Sequence, residues 1–327
     1  MLAANAAEIA LAQVIVSTLQ DHTSLGVRLQ ELPFDWKDAP HRLTGNFYYL
    51  SFADGVPTVD QFIDYLYGCL IPYCLPKKVY HPVLQHADPK KDFARIVRLG
   101  DTARHLFINA KNQLESGGEA GELILYALLE WALKSPKFVA KMYLKTNNNM
   151  PVHGTDGIHL GYDPDTDKMT VYFGESKIYN TFSGAADAAF SSINELIKNT
   201  GQITREIDIL LNDSDLDMLP DPVKMKICDY IDPYSNSHLS LNKKVVHACF
   251  LGFDYKSYKR ILKLPPSNVN SKFEEVYLKR ISAACRVINR HYSTRLPLTT
   301  NLHIFLLPFT SIEEFRGKFY HKIGIAA

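Results

Sequence analysis

The sequence predicts an α/β fold with a mixed central sheet flanked by helices, and three observations carry that expectation. A stretch apolar nearly all round, 119–133, reads as a buried helix. Two short alternating runs on either side of the turn-rich segment 162–168 read as a hairpin. Two very apolar runs, 244–253 and 301–309, read as buried strands separated by an amphipathic helix. With 327 residues the chain is long enough for one elaborate domain or two small ones. Its 46% hydrophobic and 22% charged residues are ordinary for a globular protein, and a net charge of +1 supplies no global field toward nucleic acid or membrane.

From the N-terminus, residues 1–115 read as a mixed α+β region. It holds an Ala-rich helix near 3–20, a strand around Asn46–Phe52, a helix from Thr58 to about Leu70 and another near Phe93–Asn109. A core-like series over 116–327 follows. After the 119–133 helix come a strand at Phe138–Leu144, the 157–177 hairpin and a helix at Ala185–Lys198. Then come the Lys244–Phe253 strand, an amphipathic helix at Phe273–Tyr292, the Asn301–Phe309 strand and a closing helix at Ser311–Lys322. Helix, three strands, helix, strand is the order of restriction-endonuclease-like folds.

The chemistry gathers around the hairpin. Thr155-Asp156-Gly157 precedes it, and Gly174-Glu175-Ser176-Lys177 closes it, with eighteen residues between Asp156 and Glu175. Alternation from Met169 puts Val171, Phe173, Glu175 and Lys177 on one strand face. An acid and a lysine thus close an otherwise apolar face, where charge is costly unless something uses it. A turn centred between Asp165 and Thr166 makes paired positions sum to 331 and sets Asp156 opposite Glu175. Two carboxylates about 4.5–5.5 Å apart at Cβ repel unless a divalent cation lies between them; a one-residue slip would break the pairing. D-x18-E-x-K is therefore read as a metal-dependent phosphodiesterase site. A cross-strand surface ion pair is the plainer alternative.

A further acid comes from the buried helix. Ser116 and Glu119 have capping-box spacing, which gives Glu119 a structural role. Glu122, one turn further in, has none and is preferred as the helix acid, with Glu119 the alternative. Oxygen donors favour Mg²⁺ or Mn²⁺. His153 and His159 flank Asp156 without zinc-site spacing, and Asp163, Asp165 and Asp167 imitate a calcium loop without its glycine or closing glutamate, so they read as a turn.

Two basic groups, Lys134, Lys137, Lys141 and Lys145, and Lys256, Lys259, Arg260 and Lys263 interleaved with Tyr255 and Tyr258, would suit phosphates and base stacking or equally a solvated face. Five scattered cysteines without C-x2-C spacing read as buried reduced thiols, suiting a cytoplasmic location. Glu8 interrupts the apolar N-terminus and no basic residue precedes Arg28, so a signal peptide is not expected. No run approaches the ~20 apolar residues of a membrane span. Walker-type, dinucleotide and G-x-S-x-G motifs are absent, which argues against an intrinsic motor, a dehydrogenase or an esterase.

G-E-x-x-L-Y-x-L-L-E over 121–130, H-G-T-D-G-I-H at 153–159 and G-E-S-K-I-Y at 174–179 resemble the HamA family, over roughly 30–310 and most sharply over 119–180. The family comprises nuclease subunits of Hachiman antiphage defence systems. The resemblance implies a PD-(D/E)xK nuclease that cuts DNA in a hetero-complex with a superfamily 2 helicase, HamB. Carried over, Asp156, Glu175 and Lys177 match the family's D…ExK and Glu122 its helix acid; Asp156, Glu175 and the Ser176 carbonyl are the expected Mg²⁺ ligands. Thr155 stands where the superfamily's proline would be. Residues 1–115 are the candidate docking surface for the helicase. A non-catalytic DNA-binding or regulatory subunit remains the alternative; the presence of Asp156, Glu175 and Lys177 together favours the nuclease.

Overall fold

The structure, a computed structural model, describes residues 6–86, 88, 91–113, 118–144, 154–235 and 237–325. In chain order come α1 (Ala6–Ser17), α2 (Leu25–Arg28), β1 (Leu29–Glu31), β2 (Leu43–Leu50), a ribbon of β3 (Phe52–Ala53) and β4 (Val56–Pro57), α3 (Val59–Gly68), α4 (Leu70–Cys74), α5 (Lys77–His86) and α6 (Phe93–Gln113). Next are α7 (Glu119–Ala132), α8 (Lys141–Leu144), β5 (Gly157–Asp163), β6 (Lys168–Tyr179), α9 (Phe182–Lys198), α10 (Thr200–Asn212) and α11 (Asp221–Ile231). The chain ends with β7 (Lys243–Asp254), α12 (Tyr258–Ile261), α13 (Pro266–Arg295), β8 (Asn301–Phe309) and α14 (Ile312–Lys322). Strands hydrogen-bond in the order β1-β2-β8-β7-β6-β5. The sheet is mixed as expected: β1 is antiparallel to β2, β2 parallel to β8, and β5 antiparallel to β6. No described helix is long and apolar enough to cross a membrane.

The chain divides into two compact units. One comprises Met1–Asp21, Gly68–Gly174 and Leu196–Val246; the other comprises His22–Tyr67, Glu175–Glu195 and His247–Ala327. Residues 1–115 are thus shared between the units, and β6 and β7 run from the first into the second.

In the first unit, α1 packs on β5 and α7 on both β5 and α6. Its core joins Leu11 and Ile15 to Ile158, Leu160, Met169, Val171 and Phe173 of the hairpin and to Leu210 and Tyr230. The second unit is built on the parallel β2–β8 pair, in register from Leu43↔Leu302 to Phe47↔Leu306. Around Phe273 of α13 gather the rings of Tyr49, Phe52, Tyr255, Tyr258 and Tyr277. Ser311 caps α14 by accepting the Glu314 N–H at 3.1 Å.

One expected strand is not formed. Pairing is limited to a single bridge at Lys137↔His159, just before the expected strand; Phe138 N–H then donates to the Ile158 carbonyl and the chain turns into α8. A short apolar run suits a strand or a buried helical turn equally well. Here Phe138 to Met142 are all buried, and the Phe138 carbonyl accepts from Asp215 N–H at 2.8 Å instead of continuing a ladder. All five cysteines are free thiols.

Candidate functional site

Within the first unit, Glu122 of α7 and Asp156, just ahead of β5, line one narrow cavity together with Tyr73, Lys137, Lys141 and His159. Helix α7 delivers Glu122 because its run from Glu119 to Glu130 is buried on every side. The helix N-cap is Gly118, without a side-chain cap bond, so Glu119 is the first helical residue and not the third residue of a capping box. Ser116 lies outside the described residues. Glu119 is fully buried, whereas Glu122 reaches the cavity. Tyr73 O–H donates to Glu122 Oε2 at 3.0 Å. Burial, then the charge of Glu122, with Asp156 adding to it, holds the Tyr73 phenol well above its ordinary pKa, so it stays a donor.

The hairpin register is the expected one: pairs run from Asp163↔Lys168 to Gly157↔Gly174, each summing to 331. The ladder stops one pair short of Asp156 and Glu175. Asp156 N–H donates instead to the Gly174 carbonyl at 2.8 Å, so Asp156 is not a ladder partner of Glu175. Gly174 has a steric reason: a Cβ there would lie 3.0 Å from Leu125 Cδ2 of α7.

Asp156 is half-buried, and the polar atoms of its buried neighbour Thr155 are all hydrogen-bonded. Thr155 N–H donates to Glu206 Oε1 at 3.1 Å, and its hydroxyl donates to Glu206 Oε2 at 3.2 Å. Lys141 Nζ donates to the Thr155 hydroxyl at 2.8 Å and to the Thr155 carbonyl, and pairs with Glu206 Oε2 at 2.7 Å.

In the second unit, Glu175 Oε1 and Lys177 Nζ are 2.5 Å apart, with side chains 12% and 24% exposed. Ser176 is buried. The strand face of Met169, Val171 and Phe173 is closed, but Glu175 and Lys177 on the same face are partly open, while Ser176 and Ile178 opposite are covered. The two charges thus continue a core face at a point where it opens.

Other sequence readings change. Lys137 and Lys141 are buried and cannot meet a phosphate from the surface: Lys137 Nζ is spent on the carbonyls of Pro72, Tyr73 and Leu75, at 2.6, 2.9 and 3.3 Å. Lys134 is exposed, and Lys145 lies outside the described residues. Lys256, Lys259, Arg260 and Lys263 are exposed, but Tyr255 and Tyr258 are core residues and cannot stack on bases. The aspartates form a turn: Asp163 accepts from Asp165 N–H and the Thr166 hydroxyl, and Asp167 from the hydroxyls of Tyr162 and Tyr230. His153 lies outside the described residues. His159 lines the same cavity as Asp156, although strand alternation alone would put positions 156 and 159 on opposite faces. Asp156 precedes the first strand residue, so alternation does not extend to it. His159 Nδ1 is 2.7 Å from the Ser135 carbonyl and therefore carries the proton.

Sequence reasoning missed Tyr73 and Glu206. Tyr73 left no signal. Glu206 left one: it interrupts the apolar stripe Ile203, Ile207, Leu210 of α10, where an unpaired acid would be costly.

Mg²⁺ and Mn²⁺ take oxygen donors, commonly one or two carboxylates with waters completing the shell. Glu122 and Asp156 are such donors, and no thiol lines their cavity. The donor set fits a hard cation. Among the described residues no three His, Cys, Asp or Glu side chains are gathered so as to hold a metal alone. Backbone carbonyls and water would therefore complete the shell.

No curated protein matches the chain. The family model for HamA matches residues 29–323. With nearly its whole length matched, the chain belongs to the HamA family and is thereby a Hachiman defence-system protein.

Proposed function

We propose that the chain is a Mg²⁺-dependent DNA nuclease with a PD-(D/E)xK core, the effector of a defence complex controlled by a partner helicase. The observation that carries this reading is the cavity shared by Glu122 and Asp156, the latter at the head of the hairpin whose second strand carries Glu175. Asp156, Glu175 and the Ser176 carbonyl would hold the ion. Bound there, Mg²⁺ supplies Lewis acidity at the scissile phosphate and a lowered pKa for its water. Lys177 positions that water and offsets negative charge near the phosphate. Glu122, fixed by Tyr73, orients the outer shell of the ion.

Control by a partner follows from what the chain lacks. It has no ATP-binding loop and a net charge of only +1, so its own DNA affinity should be modest and salt-sensitive. The expected partner is the superfamily 2 helicase HamB in a 1:1 complex, with residues 1–115 contributing to docking and cutting dependent on the helicase ATPase.

A non-catalytic DNA-binding or regulatory subunit is a second reading. It is favoured by the Glu175–Lys177 ion pair and by the absence, among the described residues, of a three-ligand cluster. One experiment separates the two. The purified complex receives Mg²⁺, ATP and linear, nicked or supercoiled DNA. Glu175→Ala with Lys177→Ala should abolish cleavage and leave the melting profile unchanged; wild-type degradation by that folded double variant would overturn the nuclease assignment.

A further inference from the structure

We propose that the buried pair of Lys141 and Glu206 is a clamp that sets the position of Asp156, making both of them positioning residues of the nuclease site; this rests on the nuclease reading above. Lys141 comes from α8 and Glu206 from α10, and their side chains are only 4% and 2% exposed. A buried ion pair is a poor way to stabilise a fold, because the cost of desolvating two charges offsets most of their attraction. What this pair does distinctively is geometric.

All three polar atoms of Thr155 are engaged by it. Glu206 accepts the N–H and the hydroxyl, and Lys141 donates to the hydroxyl and to the carbonyl. The Thr155 carbonyl belongs to the peptide bond that leads into Asp156. The other polar end of that peptide, Asp156 N–H, is held by the Gly174 carbonyl. Both ends of that peptide are held, and the backbone on the far side of Asp156 is held by the pairing of Gly157 with Gly174, so the direction in which the Asp156 side chain leaves the backbone is constrained from both sides. Gly154 shows how tightly the segment is drawn onto the clamp. Its φ is +159°, and a Cβ there would lie 1.8 Å from Glu206 Oε1.

Replacing a buried ion pair by apolar residues of similar volume is often neutral or stabilising. The full-length chain is therefore made as Lys141→Met with Glu206→Leu, as Thr155→Val and as Asp156→Ala. Melting is followed by circular dichroism, Mn²⁺ binding by titration calorimetry, and plasmid cleavage against Mn²⁺ concentration in the complex with the partner. The expected result is a folded double variant whose Mn²⁺ dissociation constant and half-maximal Mn²⁺ concentration rise roughly tenfold or more, as when groups that orient metal ligands are removed. Thr155→Val should show a smaller rise in the same direction. A merely structural role would lower the active fraction without moving the Mn²⁺ midpoint.

Mn²⁺ binding by the folded double variant as tight as wild type overturns the clamp. If the double variant does not fold, Thr155→Val decides: an unchanged midpoint overturns the proposal and a raised one supports it. Wild type that binds no Mn²⁺ in an Asp156-dependent manner overturns the nuclease reading, and the positioning role with it.

Discussion

Tyr73 and Glu122, 49 positions apart in the chain, meet in a hydrogen bond of 3.0 Å. The contact joins α4 to the one acid of α7 that reaches the cavity shared with Asp156. A carboxylate only 8% exposed needs a donor, and a phenol held protonated by its surroundings provides one.

Tyr73→Phe keeps the ring and deletes the donor. Leaving a buried acceptor short of a partner costs about 1–3 kcal/mol. The urea midpoint should fall accordingly, and DNA cleavage by the complex should fall roughly tenfold if Glu122 orients the ion. An unchanged midpoint would mean that Glu122 does not depend on this bond.

Much of the fold was legible because period and punctuation agree where elements are long. The hairpin centre between Asp165 and Thr166, the apolar β7 and β8, and α14 opening at Ser311 all follow from local pattern. Residues 138–144 failed because a short apolar run has no decisive period, and tertiary bonds to Asp215, Thr155 and Glu206 chose the helical turn. At the candidate site the hairpin was legible, but its last pair was not: Asp156 N–H turns to Gly174. The supports of that acid come from α8 and α10, and no local pattern announces contacts across 14 and 65 residues. Lysine spacing likewise suggested a surface row, whereas burial separates Lys137 and Lys141 from Lys134.

That separation can be measured. Lys137 donates to three carbonyls, and Asp215 and Glu130 sustain its charge against a burial that lowers its pKa. Lys137→Ala removes one of the two buried lysines facing those acids, Lys77 being the other, and strips three buried carbonyls of their donor, which should cost about 3–5 kcal/mol. Lys134→Ala, on the surface, should stay within about 0.5 kcal/mol. Equal denaturation midpoints for the two variants would contradict the burial difference.

Acid should destabilise the protein partly through His247. Burial lowers its pKa from 6.5 to about 4. Between those values the unfolded chain binds a proton that the folded chain does not, so stability rises with pH through this window. The contribution is complete above 6.5 and is lost as pH falls toward 4; its full size is about 3 kcal/mol. His247→Gln should flatten this limb, shrinking the stability difference between pH 7 and pH 4.5 by about 2–3 kcal/mol. Urea titrations at both values check it, and an undiminished acid loss in the variant would assign it to other groups.

The last expectation concerns DNA. Lys256, Lys259, Arg260 and Lys263 are exposed over eight residues that contain no acid, whereas Tyr255 just before them and Tyr258 among them are buried. Contacts from this row can only be electrostatic, since no ring is available to stack on a base. Such contacts depend on released counterions, each worth about 0.9 in the slope of log affinity against log salt. Replacing all four by Ala should weaken duplex binding regardless of sequence and flatten that slope by up to about 3–4. Tyr258→Phe should leave binding unchanged, because its ring stacks on Phe273 inside the second unit. Binding of one linear duplex between 50 and 200 mM salt, roughly the range over which phosphate contacts lose most of their affinity, reads the slope directly. A slope identical in wild type and fourfold variant would move the DNA surface elsewhere on the protein.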